Sequence, residues 1–466
     1  MKMEDSRAET NAIEQLAANV LETRFENFDA ATLQNARDRI IDTVGCLIGG
    51  SGDTGNPELV GLLRDTGGKE EATVLVHGGR LPVGSAAMVN SIMARSFDFE
   101  PVSPLVEGVN TPGHVSGTTV PTAISVAEHT GVGGRELMTA LLVGDDVASR
   151  LLAASGFGFT LGWDGTGTVN AFGAAAIAGR LLGLDRLRMR NAFGIVLNQV
   201  GSTFQIIWDG TTAFKLPQGL SARNGVFSAQ LAKIGWTGPA DPLFSQFGYY
   251  QMFTEGCQKP EYLTEHLGKR YYSDGTFKSY PCCRIPHAAI DCALALVRKY
   301  GVSADDIREV RLDLAQGGID HICGHPFCIG TFPHGNAAFS YQYVVATALL
   351  RKAVRPEHFT AAAIRDPEVN AFIGRIKLVA SHDVRFEAAR MTLHMKDGRE
   401  LTGSCEIARG DPRGNPLSRD DLIAKFWTNV DFSGKISREK ADSFLKMVEK
   451  LEDLDDVKKL VRLLVA

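Results

Sequence analysis

The sequence lacks the features that mark several specialised classes of protein. Its formal net charge is −5, with 49 Lys and Arg against 54 Asp and Glu, so the chain has no basic excess for binding nucleic acid. No apolar run approaches the roughly 20 residues that a membrane-spanning helix needs. The N-terminal stretch MKMEDSRAET is acidic and polar, which argues against a signal or transit peptide. These absences predict a cytoplasmic protein that binds neither nucleic acid nor a membrane.

Cysteine is scarce, and the chain has no C-x-x-C pair among its eight cysteines. An iron–sulfur dehydratase needs three cysteine ligands, normally including such a pair, and zinc sites use paired ligands at regular spacing. Ligand-type residues concentrate in one short stretch, at His321, Cys323, His325 and Cys328. Since Gly324 and Pro326 indicate a loop there and no second ligand pair follows, we expect no metal and no other cofactor.

The thiols are expected to be reduced, because a chain with a large core does not need disulfides. The adjacent Cys282 and Cys283 are interpreted as small apolar residues that pack beside a site. A nucleophile pair of Cys283 and His287 remains an alternative, for which no orienting acid can be assigned.

A phosphate-binding glycine loop is also missing. The pattern G-x-G-x-x-G after a strand does not occur. The most similar stretch of the sequence is Gly165-Thr166-Gly167-Thr168, which precedes a predicted helix but follows no convincing strand. The sequence therefore argues against a nucleotide-binding sheet.

The first 277 residues are predicted to form a helical domain. With 466 residues, 44% of them hydrophobic, the chain can bury enough surface for two domains. Several predicted helices are small and apolar with no polar stripe, which indicates burial on every side. They are Ala123–Ala127, Leu137–Val143, Ala171–Gly179 and Ala192–Leu197.

Residues 278–410 are predicted to form a smaller α+β domain. Ile307–Leu314 alternates like a strand, and two further strands flank the turn sequence Lys396-Asp397-Gly398-Arg399 at Ala389–Met395 and Leu401–Ile407. Helices are predicted between them at His287–Tyr300 and Ala337–Arg351. From Ser418 onward the pattern is helical again.

Acid–base residues concentrate between positions 94 and 121. Asp98 and Glu100 end a short apolar run, and His114 follows in a glycine-flanked turn. Carboxylate and imidazole groups held at a chain turn are suited to proton transfer. The alternative is that Asp98 caps a helix and that His114 is an ordinary loop residue.

Cationic residues stand at non-helical junctions further along the chain. Lys215 lies just before a helix that is predicted to begin near Ser221, and Lys278 lies beside Arg284 and His287. If the last two are helical, their spacing of three places them on one face. Lysine gives a point contact to a carboxylate and arginine a bidentate one, so the pattern predicts a small di- or tricarboxylate ligand. Arg95 is a weaker addition to this group.

Five segments follow one another along the chain: SFDFE…PGHVSGTTVPTAISVAE, DGTGTVNAFGAAAIAGRLLGLD, FKLPQGLSARNGVFSAQLAKIGWTGP, FKSYPCCRIPHAAIDCAL and PHGNAAFSYQYVVATALL. Together they resemble the MmgE/PrpD family, which includes 2-methylcitrate dehydratases, cis-aconitate decarboxylases and iminodisuccinate epimerases. The resemblance extends from about Ala12 to Phe426. It implies a mainly α architecture, with a large helical domain that residues 411–466 complete and a smaller α+β lid domain, and it implies a homodimer.

The resemblance also implies site residues and shows departures from the family. It implies a catalytic-site lysine at Lys215. The histidine that relatives carry at position 164 is Asp164 here, and a second one at position 218 is Gln218. Asp164 is interpreted either as a replacement base or as a helix cap. The acidic motif, often D-F-D-D, ends here in Glu100-Pro101.

The sequence thus predicts a cofactor-independent lyase acting on a small tricarboxylate, most like 2-methylcitrate dehydratase. The expected catalytic residues are Asp98, His114, Lys215 and Lys278, and the expected substrate-binding residues are Arg284, His287, Asp164, Gln218 and Arg95. Whether Asp98 or His114 is the base stays open. The alternatives are an epimerase of a substituted dicarboxylate such as iminodisuccinate, a cis-aconitate-type decarboxylase, and a homologue that binds without turnover.

Overall fold

The computed structural model describes residues 11–156 and 162–466. The helices before residue 278 are α1 (Asn11–Glu22), α2 (Ala30–Gly50), α3 (Asn56–Thr66), α4 (Val83–Arg95), α5 (Ser116–Thr130), α6 (Gly134–Ser155), α7 (Gly165–Thr168), α8 (Asn170–Leu181), α9 (Arg186–Val196), α10 (Gln205–Trp208), α11 (Leu216–Lys233) and α12 (Tyr249–Phe253). The later helices are α13 (His287–Tyr300), α14 (Gln316–Asp320), α15 (Pro333–Ala338), α16 (Tyr341–Arg351), α17 (Ala361–Ile364), α18 (Pro367–Ile373), α19 (Arg419–Ser433), α20 (Arg438–Glu449) and α21 (Lys458–Arg462). Within the described ranges, no helix is both long and apolar enough to cross a membrane.

The strands are short and mostly antiparallel. They are β1 (Ala72–Thr73), β2 (Arg80–Leu81), β3 (Val102–Val106), β4 (Val109–Asn110), β5 (Asp274–Thr276), β6 (Ile307–Leu314), β7 (Ile376–Ala380), β8 (Ala389–Met395) and β9 (Glu400–Cys405). Single 3-10 turns lie at Phe25–Asn27, Thr212–Lys215, Pro260–Leu263, Ala304–Asp306, Ile322–Gly324, Pro356–Phe359 and Leu451–Asp453. The prediction of a mainly α protein with a smaller α+β part is confirmed.

Small residues let the central helices of the helical domain approach closely. A Cβ added at Gly144 on α6 would lie 2.8 Å from the carbonyl oxygen of Gly173 on α8, a distance that real Cβ atoms do not show. Every described residue of α8 from Asn170 to Gly179 is buried. The predicted helices without a polar stripe are therefore central core helices.

The C-terminal helices return to the helical domain. Phe426 on α19 packs over Gly45 on α2, where an added Cβ would lie 3.1 Å from its ring. Lys425 forms an ion pair with Asp42 at 2.8 Å, and both side chains are buried. Residues 419–464 thus contribute to the core of the N-terminal helices.

The smaller domain is built on a four-stranded sheet in the order β7-β6-β8-β9. Strand β6 and the hairpin of β8 and β9 agree with the sequence pattern. Strand β7, which pairs in parallel with β6, was not predicted. The predicted helix Ala337–Arg351 is broken, because the side chain of Ser340 accepts a hydrogen bond from the amide of Tyr343 and starts α16 anew.

The segments that connect the two domains lie close to the site. Strand β5 lies antiparallel to β3, with Val102 opposite Thr276. The amide of Phe277 then donates to the carbonyl oxygen of Gly410 at 3.2 Å, so the chain enters and leaves the smaller domain side by side. This pairing brings residue 278 next to the loop that follows α4.

Candidate active site between the two domains

A cavity of about 110 Å³ lies between the helical domain and the smaller domain. The helical domain contributes Asp98, His114 and Asp164 to its lining, and the smaller domain contributes Arg284, His321 and Glu387. Arg95, another of the predicted site residues, also lines the cavity. Polar groups from distant parts of the sequence therefore face a common space, as at a ligand site between domains.

Asp98 is bound by two cations at the end of α4. Its backbone adopts the left-handed conformation, with φ of +48°, which turns the chain so that the carboxylate comes back against Arg95. The ammonium of Lys278 lies 2.7 Å from Oδ1 of Asp98 and donates to the Asp98 carbonyl oxygen at 2.7 Å. Burial alone would raise the pKa of this carboxyl group, but Arg95 and Lys278 outweigh burial and lower it. Asp98 is thus an ionised acceptor.

His114 stands between two carboxylates. Its Nδ1 lies 2.9 Å from Oε1 of Glu100, and its Nε2 lies 3.7 Å from Oδ1 of Asp98. Burial lowers the pKa of His114, and Arg95 lowers it further, against the opposite effect of Glu100. A neutral imidazole oriented by a carboxylate is suited to accept a proton at neutral pH.

Two side chains hold the backbone of the His114 turn in place. The side-chain amide of Asn170 donates to the His114 carbonyl oxygen at 2.6 Å. Oδ2 of Asp274 accepts hydrogen bonds from the amides of Val115 at 3.0 Å and Ser116 at 2.6 Å, where α5 begins. Sequence reasoning missed Asn170 and Asp274, since neither stands in a motif that indicates this contact.

Gln218 joins the cluster from α11. Its Nε2 donates to Oε1 of Glu100 at 3.3 Å, while its Oε1 accepts hydrogen bonds from Asn170 at 3.1 Å and from Thr118. An amide here orients Glu100 but cannot transfer a proton. Glu100, which stands among the acid–base residues of the sequence but not among the expected site residues, therefore connects His114, Arg95 and Gln218.

Asp164 is a helix cap whose carboxylate also faces the cavity. It accepts a hydrogen bond from the amide of Thr166 at 2.9 Å and so begins α7. The same side chain lines the cavity together with His114. The cap is therefore observed, and a role for Asp164 as a base remains a prediction.

Arg284 and His287 occupy different environments. Arg284 lines the cavity and donates to the carbonyl oxygens of Ala408 at 3.2 Å and Arg409 at 3.1 Å. His287 is fully buried, and its ring packs against Tyr280 with 5.1 Å between centroids. Because α13 begins only at His287, Arg284 is not helical and the condition for a shared helical face is not met.

Lys215 lies in a separate polar cluster and does not line the cavity. Helix α11 begins at Leu216 rather than near Ser221, and this turns the lysine towards the loop after α2. Its ammonium donates to Oδ2 of Asp53 at 2.7 Å, to the Thr54 carbonyl oxygen at 2.7 Å and to Oδ1 of Asn56 at 3.0 Å. Three acceptors satisfy its three protons. The structure thus brings together Asp98, His114 and Lys278 and places Lys215 elsewhere.

The carboxylates of the site could in principle hold a cation. In the described ranges, one group of three suitable residues lies within metal-binding distance: Asp98, Glu100 and His114, with one ligand atom of each within 4.8 Å of the others. Arg95 and Lys278 already place two positive charges on these oxygens. A metal ion would have to displace them, so the cluster is better suited to proton transfer.

Comparison with known proteins agrees with the arrangement of the chain. A family model of the MmgE/PrpD N-terminal domain matches residues 14–261, and one of the MmgE/PrpD C-terminal domain matches residues 280–453. The mouse cis-aconitate decarboxylase is 29% identical over 404 residues, which cover 83% of this chain and 79% of the mouse protein.

Two further relatives carry similar names. The human cis-aconitate decarboxylase is 27% identical over 406 residues, 83% of this chain and 80% of its own length. A cis-aconitate decarboxylase-like protein from Aspergillus oryzae is 25% identical over 499 residues, covering 100% of this chain and 99% of its own. Since the two family models together span most of the sequence, the chain belongs to the MmgE/PrpD family.

Proposed function

We propose that this chain is a lyase that removes a proton next to a carboxylate of a small tricarboxylate, without a cofactor and with His114 as the base. The observation that supports this is the neutral imidazole of His114, held by Glu100 at 2.9 Å inside a cavity that also contains fixed cations. Proton abstraction beside a carboxylate makes an extended dianion, and positive charges fixed in advance stabilise such a transition state.

The remaining residues divide into two roles. Arg284 is the cavity cation suited to bind a substrate carboxylate from the side of the smaller domain. Arg95 and Lys278 keep Asp98 ionised and place positive charge beside the reacting carbon. Asp98, 3.7 Å from Nε2 of His114, stabilises the imidazolium that forms when His114 takes the proton.

Dehydration of a 2-methylcitrate-type substrate is our first candidate reaction. The names of the relatives favour decarboxylation of cis-aconitate as the second candidate. Asp164 and Gln218 stand where the sequence resemblance expects two histidines, so this site offers fewer imidazoles for protonating a carbanion. That difference favours dehydration.

An epimerase of a substituted dicarboxylate is a third candidate. Such an enzyme needs acid–base groups on opposite faces of the substrate and no leaving group. Asp164 and His114 both line the cavity, which supports this candidate.

Proton NMR in heavy water distinguishes these reactions. The purified protein is incubated separately with citrate, 2-methylcitrate, cis-aconitate and iminodisuccinate, with the His114→Gln variant as the matched control. Alkene formation with water loss supports dehydration, carbon dioxide release supports decarboxylation, and deuterium exchange without net conversion supports epimerisation. If His114→Gln acts as fast as the wild type, or neither protein changes any of the four compounds, the proposed function is wrong.

We also propose that the protein is a homodimer that uses the outer face of α11. Leu216 and Phe227 lie three turns apart on α11, and Ile234 follows its last residue; the three residues are 41%, 48% and 74% exposed. Large apolar side chains exposed on one side of the molecule support a protein contact there. Sedimentation should give a dimer for the wild type and a monomer for a Phe227→Glu, Ile234→Glu variant; a monomeric wild type would contradict the proposal.

A further inference from the structure

The cavity contains several proton acceptors on the side of the helical domain. Burial would raise the pKa values of Asp98 and Glu100, but neighbouring charges, Arg95 above all, lower both. The pKa of His114 is lowered by burial and by Arg95. These groups therefore do not hold a proton that they could give away near neutral pH. A dehydratase nevertheless needs one, because hydroxide is a poor leaving group unless it is protonated.

Glu387 faces the same cavity from the smaller domain. It lies in the loop between β7 and β8, and its backbone has φ of +66°, a left-handed conformation that is unfavourable for a residue with a side chain. Strained backbone of this kind is concentrated at functional sites. Its side chain is 34% exposed, so it is neither fully solvated nor sealed in the core.

The charges around Glu387 leave it only partly compensated. The nearest is Arg413, whose Nη2 lies 3.7 Å from Oε2 of Glu387. That guanidinium is engaged by Asp411, with contacts of 2.9 Å from Nε to Oδ1 and 2.7 Å from Nη2 to Oδ2. Arg284 also faces Glu387, but it is bonded to the Ala408 and Arg409 carbonyl oxygens.

The balance of these effects shifts Glu387 towards the protonated form. Burial raises the pKa of Glu387, Arg284 and Arg413 oppose it, and Asp411 adds to it, so that the net shift is upward. The pKa of His114 shifts in the opposite direction. Two titratable groups whose environments push their pKa values apart in one cavity have the character of an acid and a base.

We propose that Glu387 is the general acid that protonates the departing oxygen while His114 removes the carbon-bound proton. This inference rests on the proposed function. The electron pair of the broken C–H bond forms the double bond, the C–O bond breaks with its pair, and the proton of Glu387 converts the leaving hydroxide into water. After the alkene leaves, the His114 imidazolium gives its proton to solvent and the Glu387 carboxylate takes one up.

The Glu387→Gln variant tests the role, because it keeps the size of the side chain and removes the proton. Glu406→Gln is the matched control, since Glu406 is an exposed glutamate of the same domain. With the hydroxy acid that the wild type dehydrates, citrate or 2-methylcitrate, kcat of Glu387→Gln should fall by about 100-fold or more with little change in KM. In the wild type, kcat should decline as pH rises through the pKa of Glu387. In Glu387→Gln this decline should be absent.

A second substrate separates acid catalysis from a structural role. In an analogue with chloride in place of the departing hydroxyl, the leaving group needs no proton. Glu387→Gln should eliminate chloride at close to the wild-type rate, whereas a distorted site would be slow with both substrates. Equal loss of activity on both, or no loss on the hydroxy acid, would overturn the role of Glu387 and leave the proposed function standing.

A titration without turnover keeps the inference testable if none of the substrates reacts. The protein is labelled with carbon-13 at the glutamate carboxyl groups, and the Glu387 resonance is identified as the one that is missing from Glu387→Gln. This resonance should titrate with a pKa above the ordinary value of 4.5. A titration at or below that value would contradict the inference, even if the protein proves to be an active lyase.

Discussion

Nδ1 of His114 lies 2.9 Å from Oε1 of Glu100, although fourteen positions separate the two residues in the sequence. Glu100 is fully buried, and Arg95 and Gln218 also contact its Oε1. This contact fixes the orientation of the imidazole and leaves Nε2 to face the cavity. The reactivity of His114 therefore depends on Glu100 as well as on burial.

The first prediction concerns the pH dependence of turnover. Because His114 must be neutral to act as a base and its pKa is lowered, kcat/KM should stay high as pH falls through 6.5 and should decline only below that value. In Glu100→Gln the acidic limb should move to still lower pH, since Glu100 raises the pKa of His114. The exposed Glu26→Gln is the control. An acidic limb above pH 6.5 would show that another group is titrating.

The second prediction is that activity survives removal of metal ions. Arg95 and Lys278 supply the positive charge at Asp98 and Glu100 that a metal ion would otherwise supply. Dialysis against EDTA should leave turnover within about twofold of the untreated protein, as measured by the alkene formed. Loss of activity that zinc, magnesium or manganese restores would instead assign a metal to the Asp98, Glu100 and His114 cluster.

The third prediction separates stability from catalysis at Lys215. Lys215→Met removes the ammonium partner of the buried Asp53 and leaves Nδ1 of His334, 2.9 Å from Oδ1, in contact with the carboxylate, so it should cost at most about 3–5 kcal/mol of folding free energy. The double variant Lys215→Met, Asp53→Asn should recover part of this loss in urea unfolding, because it also removes the buried carboxylate charge.

Turnover of the double variant decides the catalytic role that the sequence predicts for Lys215. We expect turnover to recover together with stability. If the double variant is stable and still loses about 100-fold in kcat, Lys215 reaches the substrate during the reaction and the catalytic role is correct.

The fourth prediction concerns Asp274 and stability above neutral pH. Burial raises the pKa of Asp274 from 3.8 to about 7, against the opposing hydrogen bonds from Ser116. A folded-state pKa above the unfolded one means that the stabilisation by the bound proton is lost progressively as pH rises from 3.8 to about 7. A shift of this size corresponds to at most about 4 kcal/mol.

Asp274→Asn removes this ionisation and keeps an oxygen for the amides of Val115 and Ser116. Its stability in urea should exceed that of the wild type at pH 8, and the difference should shrink towards pH 5. Asp383→Asn, at an exposed position, should change stability equally at both pH values. If Asp274→Asn is less stable than the wild type at pH 8, the buried carboxylate stabilises the fold.

Local sequence patterns predicted the parts of the fold that local interactions determine. Strand β6 and the hairpin of β8 and β9 follow from alternation and from the turn residue Gly398, whose φ is +91°. Strand β7, Ile376–Ala380, has five residues and no such turn, and its partner β6 lies more than 60 positions earlier. A parallel edge strand of this kind has no local signal.

The same distinction applies to the site. Asp98 and His114 stand out because acid–base residues follow one another within a glycine-rich turn. The position of Lys215 depends on Asp53, which lies 162 residues away, so nothing near Lys215 in the sequence reveals which acceptors it contacts. Glu387 gave no sequence signal, because its significance comes from a backbone conformation and from a cavity built by other segments.

The chain passes into the smaller domain at Phe277 and out of it at Gly410, and these two crossings lie side by side. This arrangement determines which parts of the site can move together. The two crossings hydrogen-bond to each other beside β5, and we refer to this pair as the hinge. Lys278 comes directly after this hinge but is bonded twice to Asp98, so it travels with the helical domain. A rotation about the hinge would carry Arg284 and Glu387 away from His114 while the pair of Lys278 and Asp98 stayed closed.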